Sequence, residues 1–413
     1  MRTRVLFVIP VAVALAIAAP LAAFAADLSW IVGGGTKDWG DTNNWASSTT
    51  PANTGDSLTF ATSGTDLTNN NYLDISVEKL TFDVSNPFQV VGNDIEIDAG
   101  APSDGILVTN GDINISPLIH TTGDQTVQVA AGASLTFPSE FDVVSDTVTF
   151  DVANDGLVTF DAASRLDGLG GAGEVVKTGL GTLVVGGGTG EIGGGGLQVQ
   201  AGWLHAIGNL TGTRVFIDGG NLSGGSVGNS SAGVIQRLGV GDGTVSPGTM
   251  VGGSDIATLW IWNEFSANST AVLALQLDGT DNDNINALNG VNVQDATLAL
   301  TLTNAPAVGT TWDIVVQQSA GPFTAFYQTS AGDPIVEGEP FVEDGQRYSL
   351  ETVPGDGGAA TVLTYLGVAP QVVTPPTGAP ALPATGVDAA APLTIAGLLV
   401  ALGGILMLRR RIA

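Results

Sequence analysis

Five short segments constrain the folding of this chain: Ser57-Leu58-Thr59-Phe60, Lys79-Leu80-Thr81-Phe82, Ser134-Leu135-Thr136-Phe137, Thr147-Val148-Thr149-Phe150 and Leu157-Val158-Thr159-Phe160. In each, the second and fourth residues are apolar, so they share one side of an extended chain. Each is bounded by Gly, Asn, Asp or Pro, residues that accept turn dihedrals. No stretch of 12 or more residues between the termini carries a 3.6-residue apolar period, and Lys, Glu and Arg are too scarce there to clothe helices. The chain is expected to be all-β.

A second periodicity is superimposed on the first. Leu197, Val199, Gly202, Leu204 and Gly208 return as Val215, Ile217, Gly220, Leu222 and Ser226, an offset of 18 residues at every position. Alternating apolar residues, a glycine turn and another apolar residue, once per ~18 residues, describe one coil of a solenoid. Its inward residues stack on those of the next coil at ~4.8 Å per rung. A sandwich with similar hairpins would give a single such repeat as well. The segment Gly171-Ala172-Gly173-Glu174-Val175-Val176-Lys177-Thr178-Gly179-Leu180-Gly181-Thr182-Leu183-Val184-Val185-Gly186 is followed by Gly196-Leu197-Gln198-Val199-Gln200-Ala201-Gly202-Trp203-Leu204. This stretch, 171–204, resembles the autotransporter-associated (passenger-associated) β-strand repeat. Looser likenesses lie in Trp30, Trp39, Trp45 and Gly55 to Phe60, and in Gly243 to Gly248 with Thr297 to Leu302. The resemblance implies a right-handed parallel β-helix over 26–254. Residues 255–366, with longer alternating runs such as Ala271 to Leu277, either continue that helix or form a β-sandwich-like cap. No outer-membrane barrel follows, so the autotransport route is not implied.

The termini carry addresses. Arg2 and Arg4 precede an apolar run from Val5 to Ala19 and the small residues Ala23-Phe24-Ala25, the pattern of a secretory signal peptide over 1–25. At the other end, Leu382-Pro383-Ala384-Thr385-Gly386 precedes an uncharged stretch over 389–408 and then Arg409-Arg410-Arg411. That stretch has about the ~20 residues needed to span a bilayer core, and the arginines act as a cytoplasmic stop. The order over 382–413 resembles the LPxTG sorting signal of Gram-positive surface proteins. It implies that a sortase attacks the Thr385 carbonyl, breaks the Thr385–Gly386 bond and joins Thr385 to a peptidoglycan amine. The membrane would then hold the protein only before cleavage. Residues 367–381 form a Pro/Ala/Thr linker; with the first residues of the sorting signal, ~18 residues of polyproline II at ~3.1 Å each reach about 55 Å.

Removing both signals sharpens the charge. Of 12 Lys+Arg and 40 Asp+Glu, processing takes five arginines and Asp388, leaving 7 basic against 39 acidic residues, a net charge near −32. A field of that sign repels nucleic acid and anionic lipid. Cysteine is absent, which excludes thiolate chemistry and disulfide staples.

Motifs that carry chemistry elsewhere do so weakly here. Gly168-Leu169-Gly170-Gly171-Ala172-Gly173 matches a dinucleotide-binding glycine pattern, but Glu174-Val175-Val176 reads as strand where such a site needs a helix. The two histidines, His120 and His205, have no nucleophile motif beside them, and His205 is expected to point outward, equivalent to Ser223. Asp278, Asp281 and Asp283 offer oxygen at short spacing, the chemistry Ca²⁺ prefers, without the glycine and glutamate of an EF-hand loop; a solvated polar turn is expected. Trp30, Trp39 and Trp45 read as a cap on the first coil, and Trp260 and Trp262 as an alternating pair. Lys37, Lys79 and Lys177 are the only lysines that polymerisation through an internal amine would have. With no catalytic residues and no required cofactor, the sequence points to a wall-anchored, non-enzymatic surface protein. Its expected partners are sortase, peptidoglycan and an extracellular glycan or host matrix protein. A glycan-binding or glycan-degrading β-helix is the alternative, marked by a groove that gathers carboxylates, aromatics and a basic residue.

Overall fold

The computed structural model describes residues 25–370 except 32, 53–54, 62–66, 100–102, 144–145, 168–172, 187, 190–195, 209, 226–233, 249–255 and 356. The signal peptide, the glycine pattern from 168, the linker and the whole sorting signal lie wholly or mainly outside those residues. The described residues of the body, up to Ala369, form one compact unit.

All five sequence segments lie in strands: Asp56–Phe60, Ile75–Asp83, Ser134–Phe137, Thr147–Val152 and Leu157–Phe160. Each strand pairs in parallel with the equivalent strand of the coil before it and the coil after it, so backbone N–H and C=O groups are satisfied along the stacking axis. The result is a parallel β-solenoid without an α-helix among the described residues. Three faces wind around one continuous apolar core. On the first face Leu58, Leu80, Ile106, Val127 and Phe150 stack inward on successive coils. The second face stacks Phe88, Ile113, Leu135, Val158, Leu183 and Leu204. The third stacks Ile75, Ile95, Ile119, Phe141 and Leu166, and the same pattern resumes from Leu210 through Ile235 and Ile261.

The 18-residue repeat is one coil, with Leu197 on Val215, Val199 on Ile217 and Leu204 on Leu222. It is also a short one. Inter-coil hydrogen bonds elsewhere join residues 22, 26 and 30 apart, from Ser134 to Asp112, Asn289 to Asn263 and Ala26 to Asp56. Turns between strands absorb the difference without disturbing the inward rows.

Both ends of the stack are closed. At the first rung, Asp27–Trp30, the chain folds back so that Ile31 N–H reaches Asn44 O at 2.8 Å and Ala46 N–H reaches Ser29 O at 2.9 Å. Trp30, Trp39 and Trp45 are buried there around Phe60, with ring centroids 5.7–6.1 Å from it. Trp39 Nε1–H donates to Thr68 Oγ1 at 2.7 Å and Trp45 Nε1–H to Trp39 O at 2.8 Å. Parallel pairing continues through Gly290–Asn304 and Phe323–Gln328. Thr311–Gln317, a strand of the last coil, meets Ala359–Val368 in antiparallel sense, and Gln346–Pro354 and Pro340–Glu343 extend that meander. The edge of Thr311–Gln317 that would recruit another chain is thereby paired within the fold.

Candidate functional site

The third face carries a cluster that no local motif announces. Inward Ile95, Ile119, Phe141 and Leu166 are each followed by an outward position, and these hold Glu96, His120, Asp142 and Asp167. Just before Phe141 and Leu166 stand Glu140 and Arg165. Oxygens of Glu140, Asp142 and Asp167 lie within 4.8 Å of one another. His120 Nδ1 is 3.0 Å from Asp142 Oδ2. Arg165 reaches Asp167 Oδ2 at 2.6 Å and Glu140 Oε1 at 3.4 Å.

Two of these carboxylates are deep. Asp142 is 3% exposed and Asp167 7%. They are direct ladder neighbours, a placement in which like charges repel. Burial first, and the Asp167 charge with it, push Asp142 above the ordinary carboxylate range, although His120 and Glu140 pull it down; burial and then the Asp142 charge raise Glu140. Asp142 Oδ1 is buried and accepts no hydrogen bond. Beside the cluster runs a groove lined by Asp94, Ser116, Pro138, Ser139, Glu140 and Arg165, among others. No aromatic side chain lines it among the described residues.

The residues singled out in the sequence are dispersed. His120 joins the cluster, while His205 sits on another face with its Nδ1 2.9 Å from Ser223 Oγ. Asp278, Asp281 and Asp283 form no common ligand group among the described residues. Asp281 is exposed, but Asp283 is fully buried, its carboxylate accepting from Ala257 N–H at 2.8 Å and Gln276 N–H at 2.9 Å. The turn is therefore not solvated throughout: Asp283 holds two backbone donors that no strand partner satisfies. Trp260 and Trp262 both point outward, with Trp262 60% exposed, several coils beyond the cluster. Lys177 is fully buried; Lys79 pairs with Asp104 at 3.2 Å, and Lys37 is half-buried. Leu382 to Gly386 and Arg409 to Arg411 lie outside the described residues.

What sequence reasoning missed was the Glu140–Asp142–Asp167–Arg165 assembly. Its signal was present as a recurring pair, Ile95-Glu96, Ile119-His120, Phe141-Asp142 and Leu166-Asp167, in which an apolar residue precedes a polar one once per coil. No protein-family model matches this chain, and no curated protein matches it.

Proposed function

We propose that this chain is an exported surface protein, a right-handed β-helix of passenger type, that a sortase joins to Gram-positive peptidoglycan through Thr385 and that serves adhesion or surface structure. The observation that carries the proposal is the order Leu382–Gly386, uncharged stretch, Arg409–Arg411, opposite a signal peptide. The fold is compatible with that task. Its length comes from stacked coils with one shared core, its ends are capped, and it needs no disulfide outside the cell. Digesting a wall fraction with muramidase and sequencing by mass spectrometry tests it. The expected product ends at Thr385 linked to cross-bridge residues; recovery of chains intact to Ala413 from membranes alone would sink it.

A glycan-degrading role is the second reading, and the groove beside Glu140 and Arg165 favours it. Two observations weigh against it. Asp142 and Asp167 are too deeply buried to meet a sugar. Phe216, which lines a groove with Gln198, Asp218 and Ser266, belongs to another face. Release of reducing sugar from plant or wall polysaccharide would reinstate this reading.

A further inference from the structure

We propose that Glu140, Asp142 and Asp167 form a site for one hard divalent cation, Ca²⁺ by size, which ties two successive coils of the third face together. Four observations carry it.

The first is the burial of like charge. Asp142 and Asp167 are ladder neighbours on adjacent parallel strands, and both are more than nine-tenths buried. Two stacked carboxylates removed from water need counter-charge close by.

The second is the orphaned oxygen. Asp142 Oδ1 is buried without a hydrogen-bond donor. The carboxyl group facing Asp142 is that of Glu140, which when ionised has no hydrogen to give. A cation satisfies that oxygen and neutralises the carboxylates at once, whereas a proton shared between the two, or a water from the groove, would satisfy the oxygen without balancing the charge.

The third is the charge count. Three carboxylates face one guanidinium, that of Arg165. His120 at Asp142 Oδ2 needs only a neutral ring with Nδ1–H. Two negative charges are left over, the charge of one divalent ion.

The fourth is geometry. Oxygens bound to Ca²⁺ at 2.3–2.6 Å stand at most about 5 Å apart across the ion, and these three lie within 4.8 Å of one another. A ligand set of oxygen alone selects a hard ion. The Glu140 and Arg165 side chains are 29% and 51% exposed and line the groove, so the ion has a way in and water can complete its shell.

Calorimetric titration of CaCl₂ into the full chain, stripped with chelator and dialysed, tests the site. We expect saturable binding of one ion, weakened at least tenfold by Glu140→Gln and by Asp167→Asn, and unchanged by Asp281→Asn. Glu140 is part-exposed, so E140Q gives a reading even if D167N does not fold, with circular dichroism checking each variant. The absence of saturable heat in the wild type would overturn the site in favour of a shared Glu140–Asp142 proton. Wild-type affinity in folded E140Q, or loss of binding in D281N, would overturn it in favour of ligands elsewhere.

Discussion

His205 Nδ1 and Ser223 Oγ stand 2.9 Å apart on successive coils, 18 residues apart in the chain. They are ladder neighbours in the second face, one position beyond inward Leu204 and Leu222. The same register that stacks the leucines in the core therefore brings two polar side chains together on the opposite side of the sheet, where Ser223 is buried and His205 half-buried. Burial of the imidazole holds its pKa below the ordinary histidine value of 6.5. The unfolded chain then takes up a proton before the folded one does. The contribution to stability is complete above pH 6.5 and is lost as pH falls below it. We expect the melting temperature of the wild type to fall relative to His205→Gln between pH 7 and pH 5.5. Equal slopes would show that His205 is not titrating with folding.

Gly202 ends the turn that begins the same short strand. Its φ is +68°, and an added Cβ would lie 2.4 Å from both Gly179 O and Gly181 O on the preceding coil. Gly132 has a similar φ, +75°, but open space around it. The two positions separate backbone strain from steric clash. Gly132→Ala should cost about 1–2 kcal/mol, the left-handed penalty alone. Gly202→Ala should cost about 1–3 kcal/mol more, because two coils must move apart. Urea midpoints of the two variants measure the difference; equal values would mean that inter-coil spacing at Gly202 is loose.

That comparison also marks what was legible in the sequence. Inward positions such as Leu58, Leu135 and Val158 were readable because a period of two survives any change in coil length. The Leu197–Leu222 register was readable because that coil is short and its repeat is undisturbed. Elsewhere, turns of differing length separate equivalent residues by differing numbers of positions, 21 for Leu183 and Leu204 but 30 for Asp27 and Ser57, so no fixed offset finds them. Asp142 and Asp167 become neighbours only once both turns are placed. Lys177, counted in the sequence only as one of three available amines, stands in an inward row between Phe150 and Val199, a place that its charge does not announce. The antiparallel cap of Gln346–Pro354 and Ala359–Val368 has the same alternation as a coil strand, which cannot tell parallel from antiparallel.

Asp283 opposes the histidine in its pH behaviour. Burial pushes its carboxyl up to about 6 from an ordinary 3.8, although Ala257 N–H and Gln276 N–H both donate to it. The folded chain binds this proton more tightly, so stability falls as pH rises from about 4 to about 6. Asp283→Ala removes that slope and leaves two backbone N–H groups without acceptors, at roughly 1–3 kcal/mol each. We therefore expect D283A to be less stable than the wild type throughout, with the gap narrowing from pH 4 to pH 7. Urea denaturation at the two pH values checks it, and a gap that widens would contradict the buried, proton-binding carboxyl.

Lys177 sets two effects against each other. It stands in the inward row between Phe150 and Val199, fully buried, and its Nζ donates to Thr178 O at 2.5 Å, Gly179 O at 2.8 Å and Ala201 O at 3.3 Å. Burial lowers its pKa from 10.5 to about 8. A charged group in that row is costly, which argues that Lys177→Met should be neutral or better. Against this, the ammonium closes a turn and stitches it to the next coil at Ala201, and each bond to a charged donor is worth about 1.5–3 kcal/mol. Carbonyls left without a donor tolerate the loss better than N–H groups do, so the net should be small but unfavourable. We expect K177M to lose about 1–3 kcal/mol at pH 7, and Lys177→Ala about 2 kcal/mol more, since it also opens a cavity beside Phe150. The pH dependence isolates the charge. Between pH 8 and 10.5 the folded lysine gives up its proton before the unfolded one, so wild-type stability rises across that window while K177M stays flat. A wild type that shows no such rise would mean that the ammonium is solvated and the row is open at Lys177.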